Sequence, residues 1–256
     1  MEPVLSLDGI KKTFRDSEKS CPALVGVSFD VAAREIVCIM GPSGCGKSTL
    51  LRIIGGLDSA DAGKIDQTSG NKDGKPSAAM VFQDHALFPW LTVYENIVYG
   101  LRLSVQNLPE EEIGKRAESL LELTHLNAFA LSYPHQLSGG MKQRASVARA
   151  LAIKPSVLLM DEPFSALDTF TRRELEDEVL RIRQDLKTTI LMVTHNPEEA
   201  AYLADRIVIL SGRPAIVSEI LQIDLPYPRD PADPAFIRIR GQVTRMIQGK
   251  ADPALR

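Results

Sequence analysis

Ile36-Val37-Cys38-Ile39-Met40-Gly41-Pro42-Ser43-Gly44-Cys45-Gly46-Lys47-Ser48-Thr49 is the stretch that decides the fold. It opens on a continuous apolar run, the pattern of a strand buried on both faces. Gly41 to Ser48 then matches G-x-x-x-x-G-K-[ST]. Glycines let the backbone curl so that successive N–H groups face one phosphate chain, and the helix that follows adds its positive end. Lys47 would bring an ammonium to the β- and γ-phosphates, and Ser48 a hydroxyl to Mg²⁺. A chance glycine turn can produce the same string. Here a buried strand precedes it, and Lys47 to Ile54 reads as a helix, which is the context the motif needs. Nucleotide binding follows from this, but the reaction does not, because kinases, GTPases and transport ATPases share the loop.

Outward from the loop, Val4 to Leu7 and Leu24 to Val31 read as short strands. Residues 58–77 are rich in Gly, Asp, Ser and Lys and read as surface loops. Met80-Val81-Phe82 is a strand candidate. From Asp84 to Ala150 the pattern turns helical, with helices expected over Glu110 to Thr124 and Lys142 to Leu151. Strands return at 157–160, 190–193 and 207–210. Between the first two lies an amphipathic helix with Leu175, Val179, Ile182 and Leu186 on one stripe. Strands alternating with helices imply a parallel sheet. The expected class is therefore α/β, with a parallel-sheet core interrupted by a helical insertion. From Leu225 the chain is proline-rich and then forms a final helix. There, Phe236, Ile239, Val243, Met246 and Ile247 recur at helical spacing among basic residues. Such a helix can lie on anionic lipid or pack on the core; the short stripe, broken at Gly241, favours packing.

Val157-Leu158-Leu159-Met160-Asp161-Glu162 is an apolar strand ending in two carboxylates. The carboxyl ends of parallel strands face the ligand crevice. There Asp161 would hold Mg²⁺ through water, leaving Glu162 to orient or deprotonate an attacking water. In isolation the pair would read as a solvated turn before Pro163; downstream of a phosphate loop the functional reading gains. His195 follows another strand end, where an imidazole could hydrogen-bond a γ-phosphate or simply sit in solvent.

Composition sets the outer limits. The 256 residues are 44% hydrophobic and 25% charged, which rules out wholesale disorder. A net charge of −3 argues against a dedicated nucleic-acid binder. No apolar run approaches the roughly 20 residues of a membrane span. Met1-Glu2-Pro3-Val4 lacks the layout of a secretory signal, so a cytosolic chain is expected. The cysteines, Cys21, Cys38 and Cys45, form no C-x-x-C pair and point to neither a disulfide framework nor a zinc site.

Leu137-Ser138-Gly139-Gly140-Met141-Lys142-Gln143-Arg144 resembles the signature of ABC transporter ATPases, normally L-S-G-G-Q-x-x-R. With the phosphate loop, the Asp-Glu strand end and the strand-end His in the same order, the chain is identified as a member of that family over nearly its whole length. The resemblance implies a P-loop core with an N-terminal antiparallel β subdomain and an inserted helical subdomain. It divides the chain into a nucleotide-binding core (1–83 and 152–225), a helical subdomain (84–151) and a tail (226–256). It also implies that Ser138, Gly139 and Gly140 bind the γ-phosphate of ATP held by a second copy, and that Gly41 to Thr49 hold the chain's own ATP and Mg²⁺. Phe14 matches the adenine-stacking aromatic. Gln83 matches the glutamine that contacts Mg²⁺ and water, and Ser165-Ala166-Leu167-Asp168 matches the dimer-contact loop. Only 55 residues separate Gln83 from Ser138, which leaves no room for a coiled-coil insert.

Within the family, Val81 to Val93, Met141, Arg213-Pro214 and Leu225-Pro226-Tyr227-Pro228-Arg229 resemble the nitrate, sulfonate and taurine importer branch. The implied protein is a peripheral ATPase on the cytoplasmic face of the membrane. Its partners would be a second copy, a permease docked near Leu87, Phe88, Trp90 and Leu91, and indirectly a solute-binding protein. Importers of bicarbonate, pyrimidine or riboflavin type, and non-transport cassettes, share most of these motifs. Two departures stand out: Arg34 replaces the glycine usual before Glu35, and Asp66 to Ser77 does not match the branch.

Overall fold

The computed structural model describes residues 3–15, 20–67, 78–103 and 108–251. In chain order the elements are β1 (Leu5–Arg15), β2 (Ser20–Val31), β3 (Ile36–Met40), α1 (Lys47–Ile54), β4 (Ala62–Gln67), β5 (Ala78–Val81), α2 (Val93–Arg102), α3 (Glu110–Leu123) and α4 (Gly139–Ala152). They continue with β6 (Val157–Asp161), α5 (Thr169–Leu186), β7 (Thr189–Val193), α6 (Pro197–Leu203), β8 (Arg206–Ser211), β9 (Ile216–Gln222) and α7 (Pro234–Ala251). Two compact units result, one of Met1–Thr68 with Thr189–Arg256, the other of Ser69–Thr188.

The first unit holds two layers of sheet. β3 lies between β7 and β8, parallel to both, and β9 closes the edge antiparallel to β8. All five residues of β3 and all five of β7 are buried, as their uninterrupted apolar runs require. The second sheet is antiparallel in the order β2-β1-β4. Here the sequence reading needs correction. β1 and β2 are longer than expected, with register shifts along their pairing, and β4 occupies part of a segment expected to be loop. β4 (Ala-Gly-Lys-Ile-Asp-Gln) has no apolar alternation because it is an edge strand, open to solvent along much of its length. Its pairing with β1, from Leu5↔Gln67 to Asp8↔Lys64, makes it a strand. Residues 68–77, the rest of the poorly matching segment, lie outside the described residues.

The turn before β3 explains one departure from the family pattern. Arg34 has φ +65°, a left-handed conformation that glycine adopts without strain. Its N–H donates to Thr189 Oγ1 at 2.9 Å, which helps hold the turn despite the Cβ. At the other end of the chain, α7 rests on α6 and β8, with Phe236 and Val243 buried. That agrees with a packed tail.

The second unit carries β5 and β6, paired in parallel, and the helices α2 to α5. α2 starts with a full capping box: Thr92 Oγ1 accepts from Glu95 N–H, and Glu95 Oε2 accepts from Thr92 N–H. α5 buries Leu175, Val179 and Ile182 as expected, but Leu186 is exposed at the helix's last position. Beyond that point no neighbouring turn remains for the stripe to follow. Among the described residues, no helix is long and apolar enough to cross a membrane.

Candidate nucleotide-binding site

In the first unit, the apolar strand β3 delivers the chain into the loop 41–46 and then α1, as the sequence implied. Gly41, at φ +154°, would bring a Cβ within 2.4 Å of the Leu210 carbonyl oxygen, so no larger residue fits there without a shift. Gly46 caps α1 at φ +110° and offers no side-chain acceptor, and the first turn carries no acidic residue. An N-terminus built this way keeps its positive end for an external anion. Lys47 is buried, and its ammonium donates to the carbonyls of Gly41 (2.9 Å) and Pro42 (3.0 Å), folding over the loop it would share with phosphate. Cys45 is buried within the loop. Leu50, Leu51, Ile53 and Ile54 bury the rest of α1.

Two further candidates belong to this unit. Phe14, on β1, is about half exposed, and the Lys12 ammonium lies 5.4 Å from its ring centroid. Its ring is open to a planar partner. His195, two residues beyond β7, is exposed. Arg213 was singled out in the sequence only as part of a branch motif. It lies over Gly44 and donates to the Ser43 carbonyl, making it a contact of the phosphate loop that local pattern did not reveal.

The second unit groups the remaining candidates around two turns. Asp161 ends β6, and Glu162 follows at φ +45°, a conformation rare outside glycine and often found where function fixes the backbone. Ser165 clasps this turn: its hydroxyl donates to the Glu162 carbonyl at 3.0 Å and accepts from Gln83 Nε2 at 3.3 Å. Gln83 is thereby brought to the Asp-Glu turn. The segment after Gln83 is unusual. His85 and Ala86 are both left-handed (φ +65° and +48°), and α4 holds them. Ser146 Oγ donates to the His85 carbonyl at 2.9 Å, Arg149 donates to the Ala86 carbonyl at 2.5 Å, and Gln143 meets the His85 ring at 2.6 Å. These tethers span about sixty residues of sequence, and no local pattern predicts them.

The signature lies at the start of α4. Ser138 is the N-cap, its hydroxyl accepting from Met141 N–H at 3.3 Å. Ser138 and Gly139 are exposed, while Gly140 is buried where a Cβ would fall 2.5 Å from the Thr171 methyl. Asp168 caps α5, accepting from the N–H groups of Phe170 and Thr171 at 3.1 Å each. Hydrogen bonding to Thr171, side chain first, holds its carboxyl below the usual carboxylate range.

Among the described residues, no cluster of three His, Cys, Asp or Glu could hold a metal ion alone. Taken unit by unit, Ser48 offers a hydroxyl in the first, and Gln83 and Asp161 offer an amide and a carboxylate in the second. Oxygen donors of these kinds suit Mg²⁺ that arrives with phosphate oxygens and keeps water.

The family description "ABC transporter" matches residues 24–165. The aliphatic sulfonates import ATP-binding protein SsuB of Bacillus cereus is 42% identical over 95% of this chain and 96% of its own. The nitrate transport protein NasD of Klebsiella oxytoca is 38% identical over 99% of this chain and its full length. A solved dimeric ATP-binding cassette in a post-hydrolysis state, bound to ADP and phosphate, superposes with a TM-score of 0.75 at 32% identity, covering 87% of this chain and all of its own. With its phosphate loop, Asp-Glu strand end and signature helix in these positions, the chain belongs to the ABC transporter family, as one of its ATP-hydrolysing cassettes.

Proposed function

We propose that this cassette powers import of a small solute of the sulfonate, nitrate or taurine class. A separate membrane permease, fed by a solute-binding protein, carries the solute, and the cassette sits on the cytoplasmic face. One observation carries the solute class: the relatives named for sulfonate and for nitrate transport match the chain almost from end to end. The division into core (1–83, 152–225), helical subdomain (84–151) and tail (226–256) goes with this reading. So does docking of the permease at Leu87, Phe88, Trp90 and Leu91, where Trp90 is 70% exposed.

In this reading Gly41, Pro42, Ser43, Gly44, Cys45, Gly46 and Thr49 line the phosphates, with Lys47 turning its ammonium from the loop carbonyls to the β- and γ-oxygens. Phe14 stacks on adenine. Bound with ATP, Mg²⁺ supplies charge neutralisation on the phosphates, with Ser48, Gln83 and Asp161 as its protein contacts. Glu162 takes the proton of the attacking water, Gln83 orients that water, and His195 hydrogen-bonds the γ-phosphate. One chain carries one phosphate loop and one signature. Two complete sites therefore arise when two copies pair head to tail, each presenting Ser138, Gly139 and Gly140 to the other's ATP.

Removing the base separates binding from hydrolysis. Glu162→Gln is expected to keep ATP affinity, to slow turnover by about 100-fold or more, and to accumulate a dimer on gel filtration with Mg-ATP. A persistent monomer with ATP bound, both alone and with the permease, would sink the paired-site mechanism. The solute class is tested by co-purifying the cassette with its permease and binding protein and asking which solute stimulates ATP hydrolysis.

A further inference from the structure

Glu199 is a buried carboxylate with no part in the mechanism above. It lies in α6, just past His195, and is 5% exposed. A carboxylate so placed is costly unless hydrogen-bonded, and both its oxygens are engaged. Thr194 Oγ1 donates to Oε2 at 2.5 Å, and Asn196 Nδ2 donates to Oε1 at 3.2 Å. The Thr194 hydroxyl also accepts from the Asn196 N–H at 3.1 Å. The two residues flanking His195 are therefore tied to one acid and to each other.

The anchor itself is fixed. Asn196 caps α6, accepting from Glu198 N–H at 2.9 Å. At the far end, the buried Arg229 guanidinium donates to the carbonyls of Ala201 (2.8 Å) and Ala204 (2.7 Å), and the Tyr227 hydroxyl donates to that of Leu203 at 2.6 Å. On the other side, β7 is buried along its whole length. His195 is exposed on this short link, between Thr194 at 1% exposure and the half-buried cap Asn196. Cys38, on β3, registers the same acid: burial chiefly, and next the Glu199 charge, push its thiol up.

We propose that Glu199 is the positioning residue of His195: through Thr194 and Asn196 it fixes the backbone on both sides of the imidazole, and so sets where the ring meets the γ-phosphate. This rests on the reading of His195 as the γ-phosphate group. A buried carboxylate with both oxygens hydrogen-bonded favours one geometry, whereas an apolar contact would tolerate several. Because ADP lacks the γ-phosphate, loss of the tether should affect ATP and spare ADP.

The test uses the full chain carrying Glu162→Gln in every arm, so that ATP survives, and compares dissociation constants for Mg-ATP and Mg-ADP by calorimetric titration. Glu199→Ala is expected to lower the ATP-over-ADP preference at least fivefold, with ADP affinity unchanged within twofold. Thr194→Val should do the same, and Glu199→Gln, which keeps one acceptor oxygen, should restore part of the preference. If Glu199→Ala does not fold, Thr194→Val decides. His195→Ala is run alongside. If it abolishes the preference while Glu199→Ala and Thr194→Val leave it intact, the positioning role is overturned and the reading of His195 stands. If His195→Ala leaves the preference intact, both fall. Equal losses for ATP and ADP in the Glu199 and Thr194 variants would make the network merely structural and overturn the proposal.

Discussion

The helix after the phosphate loop and the helix after the signature begin with the same element, a glycine-bearing N-terminus, yet they are held in place differently. α1 is seated by apolar packing and starts without a side-chain cap, and the ammonium beside it is buried and tied to the loop's own carbonyls. α4 also buries apolar residues, Val147 and Leu151 among them, but adds polar tethers: Gln143 to His85, Ser146 and Arg149 to the carbonyls after Gln83, and Arg144 to acids on α5. Its start, at Ser138 and Gly139, is exposed and closed by its own Ser138. In the proposed mechanism the difference lets one device, a helix N-terminus, serve two tasks. A packed helix with a tied ammonium would give a rigid cradle with its own cation, suited to nucleotide within one chain. Directional polar bonds would hold the other helix in a defined place and leave its end to be completed from outside.

The largest expected effect tests the rigid side. Lys47→Ala should weaken ATP binding about 30-fold or more, since a charge-assisted hydrogen bond to phosphate contributes about 2 kcal/mol or more. Equilibrium titration with Mg-ATP measures it. An unchanged affinity would mean that α1 and the loop amides suffice, and the contrast with α4 would lose its cation. Ser138→Ala should behave differently. ATP affinity of the isolated chain is expected to stay within about twofold, while turnover falls about tenfold for a lost charge-assisted bond in the paired state. Thermal stability should drop by about 1 kcal/mol, the usual worth of an N-cap. If Ser138→Ala weakened binding as much as Lys47→Ala, both loops would be serving the same nucleotide in one chain.

The two helices also differ in how far the sequence revealed them. The phosphate loop and the Asp161-Glu162 strand end are contiguous, and their chemistry follows from neighbours in sequence; the structure places them on the expected elements. α4 was legible as a helix, but its tethers were not. Gln143 and His85 are far apart in the chain, and neither polar residue carries a periodic signal. β4 was hidden for a related reason: an edge strand with an exposed, charged surface is defined by pairing with β1, not by its own alternation. Leu186 failed in the other direction, because a stripe extrapolated to the last helical residue runs out of protein to cover it. Apolar seating leaves a pattern in one segment, and polar tethering leaves its evidence in two.

The smallest expected effect probes the tethers' weak point. Arg144, in the signature string, lies 2.9 Å from Glu178 on α5, yet neither Arg144 Nε nor Glu178 Oε2 has a partner in hydrogen-bond geometry. Burial pushes the Glu178 carboxyl up to about 7, against the opposing pull of Arg144. An acid whose folded value lies above its unfolded one favours the fold when protonated. Its contribution is fully present below the ordinary value and is lost as pH rises through about 7. Glu178→Gln mimics the protonated form, so it should leave stability nearly unchanged at pH 5 and raise it at pH 8. A gain of about 1 kcal/mol or more is expected, or about 2–4 °C in Tm. Thermal melts of both proteins across that range decide it. If the variant melts lower than the parent at pH 8, attraction outweighs burial and the signature helix is held by charge. If it melts higher, the pair is a site where α4 is tethered at a cost, in contrast to α1, whose buried ammonium is satisfied by the loop carbonyls.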